Sequence, residues 1–362
     1  MTTDVIERSE TLGISGLGAI DCDVHPRLPT AADLAPYVDD YWREMFSYRN
    51  INRLELMSYP VSTLPYKRPG SDGATNDAAA LGKALLDPLG LSGAILNVVS
   101  AAHGIYDPYM STAICKATNR WLADQWLDKD PRLKASLLVP FNNIPEAVRE
   151  IEAYAGDRRF VQVLTIVMGE HTLGQNQYWP IYEAMERHGF VLGVHPGSNY
   201  RHPPTQCGFP SFRVEEMVGQ SQAFAAQVAS LVAEGVFGKF PGLKAVMVES
   251  GVTWMPSLMW RMSKDWRGVR MEVPWVKVPP AEIIAQHVRL TGQPFDGPRE
   301  LDEVERMIDH LGSEDMLLFS TDFPHRHPGE LENWPAWMPA RLAQPMSRDN
   351  VLATYSRMEV RQ

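Results

Sequence analysis

The sequence predicts an α/β fold: a single (β/α)8 barrel of the TIM type, with a long insertion after the first strand. Two observations carry this. Eight short apolar runs recur along the chain, each followed by a longer segment with helical character, which is how parallel βα units read. The length, 362 residues, also suits one such barrel, which needs about 250 residues and tolerates insertions. The runs cover 17–24, 92–99, 134–141, 160–167, 190–197, 243–250, 288–295 and 315–323. Most are continuous hydrophobic blocks, as expected of strands covered on both faces. Helices are expected over 108–127, 144–154, 176–188, 220–237, 255–269 and 298–311. One domain, 1–362, is the expected organisation, with the first strand and its polar end at 15–30. The stretch 31–90 shows no clean period, and reads either as an insertion over the barrel mouth or as a surface decoration.

Composition narrows the function classes. The net charge of −10, with no basic run to gather phosphates, argues against a nucleic-acid partner. Cys22, Cys115 and Cys207 lack CxxC spacing, so neither a structural zinc site nor a disulfide framework is indicated, which fits a reducing cytoplasm. The opening residues MTTDVIERSETLG carry no apolar signal core, and no run approaches the roughly 18 apolar residues of a membrane span. A soluble cytoplasmic protein acting on a small molecule, with no membrane or nucleic-acid partner, is the expectation.

In a barrel the carboxyl ends of the strands converge on one mouth, so polar residues that close apolar runs are the ones to inspect. The first run closes with Asp21, Cys22, Asp23, Val24 and His25, and strand alternation would put Asp21, Asp23 and His25 on one face. The fifth, FVLGVHPG, ends in His195; the eighth, MLLFSTDFPH, ends in Asp322 with His325 just beyond. A lone strand-end histidine is usually a hydrogen-bonded cap, so the weight rests on the joint arrangement.

These residues resemble the metal-dependent amidohydrolase superfamily, and within it the group that includes aminocarboxymuconate semialdehyde decarboxylase and resorcylate decarboxylases. The resemblance runs from residue 20 to about 355, through IDCDVHP, WPIYEAMERHGFVLGVHPG, FGKFPGLKAVMVESG and FSTDFPH. It implies one divalent metal ion, zinc or manganese, held by Asp23, His25, His195 and Asp322. That mix of imidazole nitrogen and carboxylate oxygen suits either metal. The fourth run, FVQVLTIV, has no lysine to carry a carbamate bridge between two ions, so one metal is expected. A homodimer is implied by the resemblance alone.

The sixth run departs from the decarboxylases. Their catalytic histidine would stand in Val248-Glu249-Ser250-Gly251, where there is none. Glu249 or Ser250 occupies its place, Glu249 as a catalytic acid or base or as a partner that steadies a ligand. His103, Gln293 and His325 are candidate substrate contacts, with His202 and His327 also in loops near the mouth. Arg27 or Arg201 could grip a carboxylate in bidentate fashion. Asp21 either supports a ligand imidazole or caps its strand. Because of the missing histidine, the leading expectation is a hydrolase of a small organic acid, amide, lactone or β-dicarbonyl compound, using a metal-activated water with Asp322 as its base. The alternative is a non-oxidative decarboxylase of an aromatic or unsaturated acid. A catalytically silent barrel is the third reading.

Overall fold

The computed structural model describes residues 12–52, 68–198, 205, 207–327 and 332–358. Eight parallel strands lie in sequence order: β1 (Ile20–Val24), β2 (Gly93–Leu96), β3 (Leu133–Leu138), β4 (Phe160–Met168), β5 (Val191–Ser198), β6 (Ala245–Met247), β7 (Val288–Thr291) and β8 (Leu317–Leu318). Cys22 N–H donates to the Phe319 carbonyl and His25 N–H to that of Phe323, which brings β1 back against the β8 segment and closes the barrel. Each expected apolar run contains one strand or overlaps it. The apolar runs read true because almost every strand position is buried from both sides, so hydrophobic residues need not alternate with polar ones.

Two apolar layers result. A large outer shell packs helices on the strands. Inside the barrel, Ile20, Cys22, Ile95, Val161, Val191, Val246, Val248 and Leu318 meet Val351, Tyr355 and Met358 of the C-terminal segment. The helix Pro108–Leu122 shows how sequence sets an element. Asp107 caps its first N–H groups, Pro108 occupies a position that needs no donor, and Ile114, Cys115, Trp121 and Leu122 form the buried stripe. Trp179–His188 stops at Gly189, whose φ of 73° is the left-handed conformation that glycine adopts without a Cβ clash.

Two helical expectations need correction. The helix after β5 begins at Arg213 rather than 220, and a further helix, Pro280–His287, was not anticipated. Both escape a periodicity reading for physical reasons. Val214, Met217 and Val218 of the first are exposed and so mark no core-facing stripe, and the second is only two turns long behind a Pro-Pro pair. Of the 31–90 insertion, Ala31–Leu34, Asp40–Tyr48 and Ala78–Leu81 are helical, while 53–67 falls outside the described residues.

The C-terminal segment is fastened by Arg357, whose buried guanidinium donates to the carbonyls of Tyr154, Ala155, Asp157, Phe160 and His188 and lies over the Phe190 ring. Replacing it with methionine keeps apolar length and removes every donor. Arg357→Met is expected to cost about 3–5 kcal/mol, because buried carbonyls lose a charged partner. The urea midpoint checks this; a loss below about 1 kcal/mol would refute it.

Candidate metal centre

The ends of β1, β5, β6 and β8 bring six ligand-type side chains together. Donor atoms of Asp23, His25, His195 and Glu249 lie within 4.8 Å of one another, and those of His25, Glu249, Asp322 and His325 form a second, overlapping set. His25 Nε2 stands 3.4 Å from Asp23 Oδ1 and 3.0 Å from Asp322 Oδ1; His195 Nε2 stands 3.9 Å from Asp23 Oδ1 and 3.2 Å from Glu249 Oε2. Because the two sets share His25 and Glu249, they describe one compact centre.

Two of the six sit on strained backbone. Glu249 has φ 55° and Asp322 φ 53°, left-handed values that cost a non-glycine residue about 1–3 kcal/mol and persist only where the surroundings enforce them. Around Glu249 the enforcement is visible. Its N–H donates to Thr291 Oγ1, and the following turn is pinned by Asp296, which accepts from Val252 N–H, Thr253 N–H and the Thr253 hydroxyl. Gly251, at φ 71°, passes so close to the Asp296 carboxylate that a Cβ would stand 2.4 Å from it. Around Asp322, His325 Nδ1 lies 2.7 Å from Oδ1 and His327 Nε2 lies 2.6 Å from Oδ2.

The centre fits a divalent cation. Asp23 Oδ2, His25 Nε2 and His195 Nε2 are all buried without a hydrogen-bond partner, a costly condition for three polar atoms of one cluster unless something positive is meant to sit among them. The field says the same. Burial alone would hold His25 neutral, yet the carboxylates of Asp23, Asp322 and Glu249 pull its pKa up to about 10. Burial, with the His25 charge adding to it, takes His195 down to about 3. Its Nδ1 lies 2.9 Å from the Pro196 carbonyl, so Nδ1 carries the proton and Nε2 presents a lone pair, as a ligand imidazole must. Burial, together with the neighbouring acids, raises Asp23 to about 7 and Glu249 well above the usual carboxylate range. Asp322 is held well below that range despite its burial, because His25, His325 and His327 surround it. Three acids crowded this closely need a cation to ionise together, and the cluster is suited to one divalent metal ion.

Comparison with known proteins agrees with this reading. The amidohydrolase family model matches residues 20–354. The chain belongs to the amidohydrolase family. Among its curated amidohydrolase relatives, a gamma-resorcylate decarboxylase of Rhizobium radiobacter is 25% identical over 270 residues, covering 69% of this chain and 78% of that one. A gamma-resorcylate decarboxylase of Rhodococcus jostii is 26% identical over 274 residues, with the same coverage. Among solved structures, 5-carboxyvanillate decarboxylase from Sphingomonas paucimobilis superposes with a TM-score of 0.68 at 18% identity, covering 94% of this chain and 99% of that one. A dihydroxybenzoic acid decarboxylase from a Polaromonas species, with bound manganese and the inhibitor 2-nitroresorcinol, gives 0.65 at 19% identity, covering 95% and 98%. No helix among the described residues of this amidohydrolase is long and apolar enough to cross a membrane.

The remaining sequence-predicted residues divide. His325 joins the cluster through Asp322, its ring 4.8 Å from that of His25. His103 stands beyond β2 with its Nε2 buried and unpartnered, and burial lowers its pKa to about 4. Gln293 turns its Oε1 to Phe295 N–H, which is a turn contact. Among the described residues Asp21 holds no imidazole. Its carboxylate accepts from Asp23 N–H, Thr321 N–H and the Thr321 hydroxyl, and so ties β1 to the β8 segment. A register shift between Asp21 and Val24 breaks the alternation expected of the strand, and Cys22 joins the inner apolar cluster. Arg27 is spent on a bidentate pair with Asp33, at 2.7 and 2.9 Å. Arg201 and His202 fall outside the described residues.

Sequence reasoning missed Arg68. Its N–H donates to the Pro324 carbonyl, two residues beyond Asp322, and its charge is within Coulomb reach of the Asp322 carboxylate. It comes from the insertion, where no periodic signal marks a position. A wide groove of about 680 Å³ lies elsewhere, lined by Tyr37, Trp42, Lys116, Arg120 and Arg149, and includes no residue of the cluster. The donor chemistry, rather than cavity size, locates the site.

Proposed function

We propose that this amidohydrolase is a metal-dependent non-oxidative decarboxylase of a hydroxylated aromatic acid, or of an unsaturated acid of similar shape. This reverses the ranking drawn from the sequence, where the missing histidine on the sixth strand favoured hydrolysis. The observation that carries the proposal is the unequal exposure of the three carboxylates. Asp23 and Asp322 are 0% and 1% exposed, whereas Glu249 keeps 23% of its side chain open. Glu249 therefore supplies, at the place of the absent histidine, a carboxyl group that a substrate can reach. The curated gamma-resorcylate decarboxylases support the same reaction class.

In this reading Asp23, His25, His195 and Asp322 would hold the ion, which would supply Lewis acidity toward an anionic substrate. Arg68 steadies the carboxylate by charge, and the neutral His103 accepts a substrate O–H at Nε2. His325 and His327 orient Asp322 and keep it ionised, so that it can accept the hydroxyl proton. Glu249 delivers a proton to the ring carbon that bears the carboxylate, the carbon–carbon bond then breaks, CO₂ leaves with the arene restored, and Asp322 returns its proton to the product oxygen. Water returns the proton to Glu249.

The test is turnover of ortho-hydroxylated benzoates by manganese-loaded protein in D₂O. One CO₂ per substrate, with one deuterium at the vacated ring carbon, is expected. Hydrolysis of an amide or lactone with ¹⁸O uptake from labelled water, and no CO₂ from any acid, would overturn the proposal in favour of a hydrolase.

A further inference from the structure

The interior of the barrel contains a polar chain that the reaction does not use. The Tyr355 hydroxyl donates to Gln162 Oε1 at 2.9 Å, and Gln162 Nε2 donates to Asn97 Oδ1 at 3.0 Å and to Ser136 Oγ at 2.8 Å. The Ser136 hydroxyl donates to the same Asn97 oxygen at 2.5 Å, and Asn97 Nδ2 donates to Asp23 Oδ1 at 2.8 Å. Tyr355, Gln162, Ser136 and Asp23 are fully buried and Asn97 is 1% exposed, so water offers these groups no alternative.

The direction of the chain is fixed at one end. Asn97 Nδ2 also faces the Cys22 carbonyl at 3.3 Å, and a backbone carbonyl can only accept. The amide nitrogen of Asn97 therefore faces β1 and its oxygen faces Gln162. Gln162 must then present its nitrogen to Asn97 and its oxygen to Tyr355, whose phenol fills the remaining donor role. Every bond points toward Asp23. The last donor takes Oδ1, the Asp23 oxygen that also stands 3.4 Å from His25 Nε2 and 3.9 Å from His195 Nε2, while Oδ2 is buried without a partner.

We infer that Tyr355, Gln162 and Asn97 are positioning residues: a relay of oriented amides that runs from the C-terminal segment through the barrel and fixes the orientation of the Asp23 carboxylate at the metal centre. Gly193 shares in the device. On β5, two residues before His195, its missing side chain leaves the space occupied by the Gln162 amide, and a Cβ there would stand 2.9 Å from Gln162 Cδ. The same strand thus supplies a ligand and the room for the relay that sets another ligand. Hydrogen bonds that orient metal ligands typically govern affinity by 10–100-fold, and this relay is long enough to carry that effect to a residue well away from the ion.

The inference rests on the metal reading above, and the experiment separates the two. Manganese alone is titrated into metal-free protein against a competing chelator, and the electron paramagnetic resonance spectrum of the bound ion is recorded. Asn97→Leu is expected to weaken binding by about 10–100-fold. Tyr355→Phe, which removes one buried oxygen and keeps the ring, is expected to weaken it by about 3–10-fold and to change the spectrum of the manganese that still binds. Gly193→Ala, acting from a different strand by displacing Gln162, is expected to act in the same direction. The spectral readout matters because a variant that is merely less stable would still bind manganese with the wild-type spectrum once folded. If Asn97→Leu does not fold, Tyr355→Phe decides. Wild-type affinity and spectrum in Tyr355→Phe and Gly193→Ala would overturn the relay. Failure of the wild type itself to bind manganese would overturn the metal reading beneath it.

Discussion

Glu249→Gln is expected to lower kcat by about 10²–10⁴-fold, the usual worth of a positioned acid or base, with KM changed much less. Glutamine keeps the length and hydrogen-bonding reach of the side chain, so the left-handed backbone at φ 55° and the contact to Thr291 Oγ1 can survive. What it cannot do is carry a transferable proton. Four other donors, Asp23, His25, His195 and Asp322, stay in place, so manganese should remain near one equivalent. The result separates proton delivery from metal holding, because Glu249 lies within both donor sets. A variant within tenfold of wild-type kcat would remove Glu249 from the reaction. A variant that loses its metal along with its activity would make Glu249 a ligand instead.

The second large effect is expected at His195. Its Nε2 is the buried, unpartnered lone pair held in place by the Nδ1 contact to Pro196. His195→Ala deletes a donor outright, and the loss of metal affinity should exceed the roughly 10–100-fold that removing a supporting hydrogen bond costs. Elemental analysis should fall from about one equivalent of metal to a small fraction, and activity should fall with it until excess manganese is supplied. Full metal content in the variant would place the ion elsewhere.

These expectations draw on features that differ in how far the sequence reveals them. The barrel was legible because its strands are buried on both sides, so each is written as an apolar block, and the proposed ligands stand where a polar residue ends such a block: Asp23 and His25, His195, Asp322. The supports were not legible. In the sequence Asp21 stays open between two roles because an irregular register near the end of β1 breaks the alternation that a sequence reading assumes. Asn97, Gln162 and Tyr355 come from segments up to 258 residues apart, and a buried amide inside an apolar run looks like noise until its partners are seen. Arg68 lies in an insertion without period. The strained conformations of Glu249 and Asp322 have no local signature, since neither is glycine and the contact that holds Glu249 comes from Thr291 on the neighbouring β7. Ligands followed from strand ends; what holds them followed only from the fold.

The most direct test is an anomalous difference map from crystals of the protein grown with manganese. One strong peak per chain, in contact with Asp23, His25, His195 and Asp322, is the predicted result. No peak at that position, in protein shown to be folded, would contradict the account at its centre.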